Sequence, residues 1–473
     1  MRYMRIDLKP YPAYKDTGPP WLGRIPAHWE MRRLKTLFRQ RSEKGYPEEP
    51  LLAATQTKGV VRKENYENRT VLALKDLHLL KLVKVGDFVI SLRSFQGGIE
   101  YAREQGIISP AYTILYPVDE GNHAFLAKLF KSKPFIENLN LYVTGIRQGQ
   151  NIDYVKLSRS SIPLPPLPEQ RLIARYLDWA DGRIRRLIRA RQRQIKLLEE
   201  YKQALIHQAV TGQVDVRTGK PYPAYKDSGV DWLGKVPEHW EVMPIKRAFQ
   251  VMDYGISETI SDFGAIPVLT MGNIKNGRVT IPQSGGVDSV DAYLLLSPGD
   301  LLFNRTNSAE LVAKVGLFEG SDTPVTFASY LVRMRPRPEY EPEFLNLLLN
   351  DVKLLSSARR EAIPSLHQSN LNPTRYGRLH IVLPSHSEQL SILQRLQEVN
   401  RKIEAAIAAI RRSIDLLREY RTRLIADVVT GKVDVREVAA QLPEEVEEIL
   451  PEETEEAGEE GIDVGDEEIC EEN

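Results

Sequence analysis

One cysteine, Cys470, occurs among 473 residues, so neither a disulfide framework nor a cysteine metal site is available, and a reducing cytoplasm fits the chain. No run of about 18 apolar residues appears, and the opening MRYMRIDLKPYPAYKD lacks the apolar core of a signal peptide. The expectation is therefore a cytoplasmic protein that does not contact the membrane. The eight histidines are scattered, with no two at a helical ligand spacing, which argues against catalytic zinc. No Gly-x-Gly cofactor loop is followed by an Asn-Pro-Pro-aromatic motif, so there is no adenine methyltransferase site. From Thr211-Gly212 to Thr218-Gly219-Lys220 a phosphate loop is imitated only in part, because six residues separate the glycines and Pro221 stands where Ser or Thr must bind magnesium. The chain is expected to catalyse nothing itself and to bind no metal or cofactor.

The last stretch lacks cations altogether. Residues 441–473 hold 16 Asp and Glu and no Lys or Arg, which leaves an excess of 16 positive charges on residues 1–440 although the whole chain is neutral. Such a tail, taken as residues 436–473, buries too little apolar surface to offset its ordering entropy and is expected to be disordered. A solubilising role is the simpler reading of it; competition with nucleic acid for the basic body is the other.

What the chain does have is a duplication. The stretch Pro168 to Asp215 is rewritten from Ser387 to Asp434 at an offset of 219, with no gap, aligning Glu169-Gln170 with Glu388-Gln389 and Thr211-Gly212 with Thr430-Gly431. Apolar residues recur every seven positions in each copy, at Leu177, Ile184, Leu198 and Leu205 and at Leu396, Ile403, Ile410, Leu417 and Leu424, with Arg191 interrupting the first series. Ile188, Ile195, Ile407 and Ile414 widen these seams to the face a helix needs for a partner helix. Two long helices, over 168–215 and 387–435, are expected to pair as a coiled coil. A second repeat, YPAYKDTGPPWLGRIPAHWE from Tyr11 and YPAYKDSGVDWLGKVPEHWE from Tyr222, has an offset of 211. Its Pro, Gly and aromatic density suits a folded connector whose Trp21, Trp29, Trp232 and Trp240 dock on neighbours. His28 and His239 beside two of these tryptophans suit packing or hydrogen bonding.

Between connector and helix lie two regions, 31–167 and 242–386, rich in short strand-like runs such as Asp87-Phe-Val-Ile-Ser-Leu and Asp300-Leu-Leu-Phe-Asn. Each reads as a compact α+β domain. The expected order is connector 1–30, domain 31–167, helix 168–215, connector 216–241, domain 242–386, helix 387–435 and tail 436–473.

This plan resembles the specificity subunit of type I restriction-modification systems. The resemblance covers nearly all of residues 11–435 and rests on YKDSGVDWLGKVPEHWE, on IPLPPLPEQ leading into the helix and on EEYKQALIHQAVTGQVD at its end, each present in two versions. It implies an α+β fold in which two target-recognition domains are separated by an antiparallel coiled coil with a pseudo-twofold internal repeat. It also implies that each domain reads one half of a bipartite double-stranded DNA target. The implied partners are two methyltransferase subunits using S-adenosylmethionine and motor-nuclease restriction subunits using ATP and Mg²⁺. The acidic tail lies outside the family pattern.

Base readout needs Arg, Asn, Gln, Ser and Thr on loops that reach groove edges. The first domain offers Arg93, Ser94 and Gln96 after a strand, with Gln148, Gln150 and Asn151 in a Gly-rich loop. The second offers Asn304, Arg305, Thr306 and Asn307, with His367, Gln368 and Asn370. Arg93 and Arg305 are the preferred base readers; Thr55 to Lys58 and Asn273 to Asn276 are weaker candidates. Arg183 to Lys196 holds seven cations and no acid, which suits DNA, an acidic face of a partner, or solvent. Two alternatives belong to other classes: a self-contained nuclease-methylase, for which no catalytic segment is present, and a non-catalytic scaffold or anti-restriction protein of the same fold.

Overall fold

A computed structural model describes residues 8–56, 58–65, 76–118, 123–145, 151–262, 264–364 and 368–443. The chain forms two compact units, one of residues 1–191 with 412–473 and one of residues 192–411. Both mix helix and strand.

In the first unit a hairpin pairs Tyr14–Asp16 with Arg24–Pro26. The variable region then opens and closes on one antiparallel pair, Glu30–Arg33 with Ser161–Leu164. Its main sheet has four strands in the order Phe38–Arg41, Thr113–Pro117, Phe88–Ile90 and Glu100–Tyr101. Helices His123–Phe130 and Lys133–Leu139 cover it, and Phe38, Phe88, Phe130 and Phe135 bury their rings there at edge-on and tilted angles. Such ring pairs add to burial through their quadrupoles.

In the second unit the hairpin Tyr225–Asp227 with Lys235–Pro237 and the closing pair Glu241–Pro244 with His380–Leu383 repeat the same plan. The main sheet is larger, six strands running Phe249–Tyr254, Leu331–Pro336, Leu301–Asn304, Val315–Leu317, Arg278–Val279 and Ile274–Lys275. A separate three-stranded sheet, Gly286–Val287, Ile266–Leu269 and Thr326–Phe327, has its own apolar cluster around Val268, Phe318 and Phe327.

The repeated stretches are helical over Leu167–Val210 and His386–Val429, 44 residues each or about 66 Å at 1.5 Å per residue. Both stop before the limits expected from sequence, 215 and 435, and the reason is local. Gly212 and Gly431 have φ of +71° and +75°, the left-handed conformation that ends a helix. A Cβ on Gly212 would meet Pro237 Cδ at 2.4 Å, and one on Gly431 would meet Pro26 Cδ at 2.3 Å. Glycine is thus required twice over, by φ and by the close approach of the connector.

Leu177, Ile184, Leu396, Ile403 and Leu424 are buried, whereas Leu198, Leu205, Ile410 and Leu417 are half-buried. Arg191, expected on the seam, is exposed, with buried Ile188 and half-buried Ile195 on either side. Within the first unit Asp181 pairs with Arg421 and Arg185; within the second, Lys202 meets Glu404 at 2.6 Å and Glu199 meets Arg411 at 3.9 Å. The tail expectation needs one correction: Arg436–Ala440 is helical, with Ala439 buried and Arg436 anchored to Asp434 at 2.6 Å. Apolar contact there offsets the cost of ordering this segment. Residues 444–473, including Cys470, lie outside the described residues.

Candidate nucleic-acid interface

Each unit carries a frame and a set of polar loops. In the first frame Glu169, at the start of its long helix, accepts from Tyr11 Oη at 2.7 Å and Trp29 Nε1 at 2.9 Å, and faces His28 Nε2 at 2.7 Å. Burial and the Glu169 carboxylate push the Tyr11 hydroxyl far above its ordinary range, which keeps it a donor. In the second frame Glu388 accepts from Arg217 Nη2 at 2.8 Å and faces His239 Nε2 at 3.0 Å. Trp29 and Trp240 are fully buried, each edge-on to a helix phenylalanine, Phe125 and Phe344. Trp21 sits on Phe135, and Trp232 Nε1 donates to the His380 carbonyl at 3.2 Å. These histidines and tryptophans are frame residues.

In the second unit the strand Leu301–Asn304 leaves the sheet and continues as Thr306–Asn307, which pairs with Ser369–Asn370 in the register Thr306↔Asn370. Two loops that the sequence marked separately are thereby side by side. Arg305 donates from Nη2 to Asn370 Oδ1 at 3.1 Å and from Nη1 to the Ser329 carbonyl at 3.3 Å, and its guanidinium stands 5.1 Å from the Tyr254 ring centre. Tyr254 is 48% exposed. Gln368 and Asn370 are exposed; Asn307 is half-buried, its Oδ1 accepting the Ser308 amide at 2.8 Å. Asn304 and Thr306 are corrected: at 2% and 7% exposure they belong to the sheet end and cannot reach a groove. His367 lies outside the described residues.

In the first unit Phe88–Ile90 leads to the short helical turn Ser94–Gly97, which lies against the strand Asn151–Ile152. Arg93 is half-exposed at its start, and Gln96 and Asn151 are exposed. Ser94 is corrected: it is 1% exposed and its Oγ accepts the Ser91 amide at 2.8 Å, fixing the turn. Gln148 and Gln150 lie outside the described residues. Lys131, which the sequence did not suggest, donates to the carbonyls of Gln56 and Gly97, both at 2.8 Å, and to Glu100. Burial pushes Glu100 up to about 7 against the opposing pull of Lys131. Of the weaker candidates, Thr55 is buried and bonds to Gly59 and Lys58, and Asn273 closes its turn through Thr270 and Thr280.

Among the described residues no cluster of His, Cys, Asp or Glu could hold a metal ion, and no helix is long and apolar enough to cross a membrane.

The duplicated frame around two mixed helix-and-strand units defines the class of protein, and sequence comparison makes it specific. The profile of the type I restriction modification DNA specificity domain matches residues 26–197 and 237–411, and the chain belongs to that family. It is 28% identical over 207 residues to the putative type I restriction enzyme MjaX specificity subunit of Methanocaldococcus jannaschii, covering 42% of this chain and 48% of that one. It is 23% identical over 269 residues to the EcoKI specificity subunit of Escherichia coli K12, covering 54% and 55%. The chain thus spans about half the length of these relatives. In fold it is similar to a chain solved in work on assembly and conformational transition of a type I R-M system, with TM-score 0.61, 17% identity and coverage of 86% and 99%. It is also similar to the HsdS subunit of Thermoanaerobacter tengcongensis, with TM-score 0.52, 17% identity and coverage of 88% and 99%.

Proposed function

We propose that this chain is the DNA specificity subunit of a type I restriction-modification complex, reading an asymmetric bipartite target with one domain per half-site. The observation that carries this reading is the convergence, in each unit, of two distant polar segments at the end of a sheet: Arg93 to Gln96 beside Asn151, and Arg305 with Asn307 beside Asn370. Rigid strands hold the cationic and amide groups that base edges require. The domains are residues 31–167 and 242–386, framed by the connectors and long helices.

The helices form an antiparallel coiled coil through the seam named above. Two ion pairs support the direction, since partner numbers fall from Arg411 to Glu404 as residue numbers rise from Glu199 to Lys202. Pseudo-twofold symmetry is supported by the frames: each connector receives the glycine that ends the other repeat's helix, Gly431 at Pro26 and Gly212 at Pro237. Helix length then sets the spacer between half-sites, and four residues inserted after Glu200 add about 6 Å, one or two base-pair steps. Two methyltransferase subunits with S-adenosylmethionine and motor-nuclease subunits with ATP and Mg²⁺ dock on this chain, which performs no chemistry itself and acts in the cytoplasm.

The deciding experiment maps methylated adenines in the host genome with and without the gene for this chain. A two-part motif that disappears with the chain is the expected result. An unchanged methylation pattern overturns the reading and favours a scaffold.

A further inference from the structure

We infer that the half-site read by the second domain contains a guanine recognised by Arg305, with Tyr254 and Asn370 holding the guanidinium for it. This rests on the recognition role proposed above and specifies what that role alone leaves open, the identity of a base.

The inference starts from how arginines on this sheet are satisfied. Arg333 grips Asp253 through two bonds of 3.0 and 2.6 Å, and Arg335 grips Asp300 through two of 2.7 Å. Both are neutralised and serve the fold. Arg305 follows the end of a strand of this sheet, Leu301–Asn304, and has no carboxylate partner among the described residues. Its neighbours are neutral: a ring face, an amide oxygen at 3.1 Å and a carbonyl at 3.3 Å. Its Nε is buried and has no partner among the described residues, while Nη1 and Nη2 each make one bond and carry a second N–H. The positive charge and part of the donor fork are therefore left to something outside the fold.

The neighbours also decide what that something must offer. Asn370 Oδ1 is occupied by Arg305, so its Nδ2 is the group left to present, and it is a donor. An arginine fork beside an amide donor forms an edge made of donors alone. Guanine shows two acceptors, O6 and N7, in the major groove, whereas adenine pairs its N7 acceptor with an N6 donor that would face these donors. The geometry thus matches guanine and repels adenine. Tyr254 acts as a positioning residue: its half-exposed ring fixes the plane of the guanidinium, which a bidentate contact needs.

The test selects a random duplex DNA library with the full-length chain and with its variants. The unaltered chain should enrich a motif in which one position is guanine, and Arg305→Ala should relax that position on the order of ten- to a hundredfold while leaving the others in place. Tyr254→Phe keeps the ring and should keep the preference; Tyr254→Leu should weaken it. With the unaltered protein, 7-deazaguanine at that position removes N7 and should lower affinity, a readout independent of whether any variant folds. Relaxation at a position that selects adenine, cytosine or thymine overturns the inference, as does full affinity for the 7-deaza duplex. A selection in which the unaltered chain enriches no sequence overturns the recognition role itself and this inference with it.

Discussion

The two frames contain the same side chains and bond them differently. In the first, buried Glu169 accepts from two neutral donors, Tyr11 and Trp29, while Arg436 stays on Asp434 with its guanidinium 5.0 Å from the Tyr11 ring. In the second, Arg217 bridges from Asp215 to Glu388 and takes the oxygen that the neutral donors use in the other copy. Among the described residues Tyr222 Oη and Trp240 Nε1 are left buried without a hydrogen-bond partner. A buried carboxylate has to be satisfied, and either neutral donors or one guanidinium can do it. Duplication kept the residues, and packing chose between two solutions.

The comparison is hardest to survive where the frames agree. Gly431→Ala and Gly212→Ala each place a Cβ against a proline ring at a positive φ, so each should cost about 2–5 kcal/mol from strain and overpacking together. Urea unfolding of the full chain should show similar losses for the two variants. A large loss in one alone would mean the frames are not equivalent at the helix ends.

Where the frames differ, the losses should differ. Glu169→Ala strands the buried Tyr11 and Trp29 donors and should cost about 2–4 kcal/mol. Glu388→Ala leaves Arg217 on Asp215 and releases His239, which is exposed enough to be solvated, so about 1–2 kcal/mol is expected. Equal losses in the same urea assay would remove the distinction.

For the recognition loops the difference should appear in specificity. Arg93→Ala should cost about 1–3 kcal/mol of discrimination in one half-site and leave the other untouched. Selection from duplex DNA reads this directly, and relaxation of both halves would contradict independent domains.

The smallest effect concerns acid. Burial raises the Asp181 pKa, but Arg421 and Arg185 outweigh it and hold the carboxyl below its ordinary range. Its folded pKa lies under its unfolded one, so the stabilisation is complete above the unfolded value of about 3.9 and is lost as pH falls through the lower folded value. The equivalent residue in the other repeat is Asn400, which cannot titrate. Asp181→Asn should therefore flatten the decline of the urea midpoint between neutral pH and pH 3. An unchanged decline would place the acid sensitivity elsewhere.

The repeats and the two long helices could be read from the residues, because seven-residue periodicity acts over a few neighbouring positions, whereas the stops at Gly212 and Gly431 came before the expected limits of 215 and 435. Arg305 and Asn370 could be singled out as polar loop residues, but their contact could not, since 65 residues separate them. Tyr254 gave no signal at all: a tyrosine ending a strand is ordinary until another loop brings a guanidinium to it. Ser94, Asn304 and Thr306 were misread for the same reason, because a polar residue at a strand end looks alike in sequence whether it faces a groove or closes a turn.

The sequence by itself determined that this chain is a duplicated frame with two variable inserts, since periodicity, turn residues and charge are local properties. Only the tertiary structure decided which oxygen of Glu169 or Glu388 meets which donor, and which arginine keeps its charge free of a carboxylate. Those outcomes depend on the register of short strands far apart in the chain, and that register is fixed by how whole domains pack.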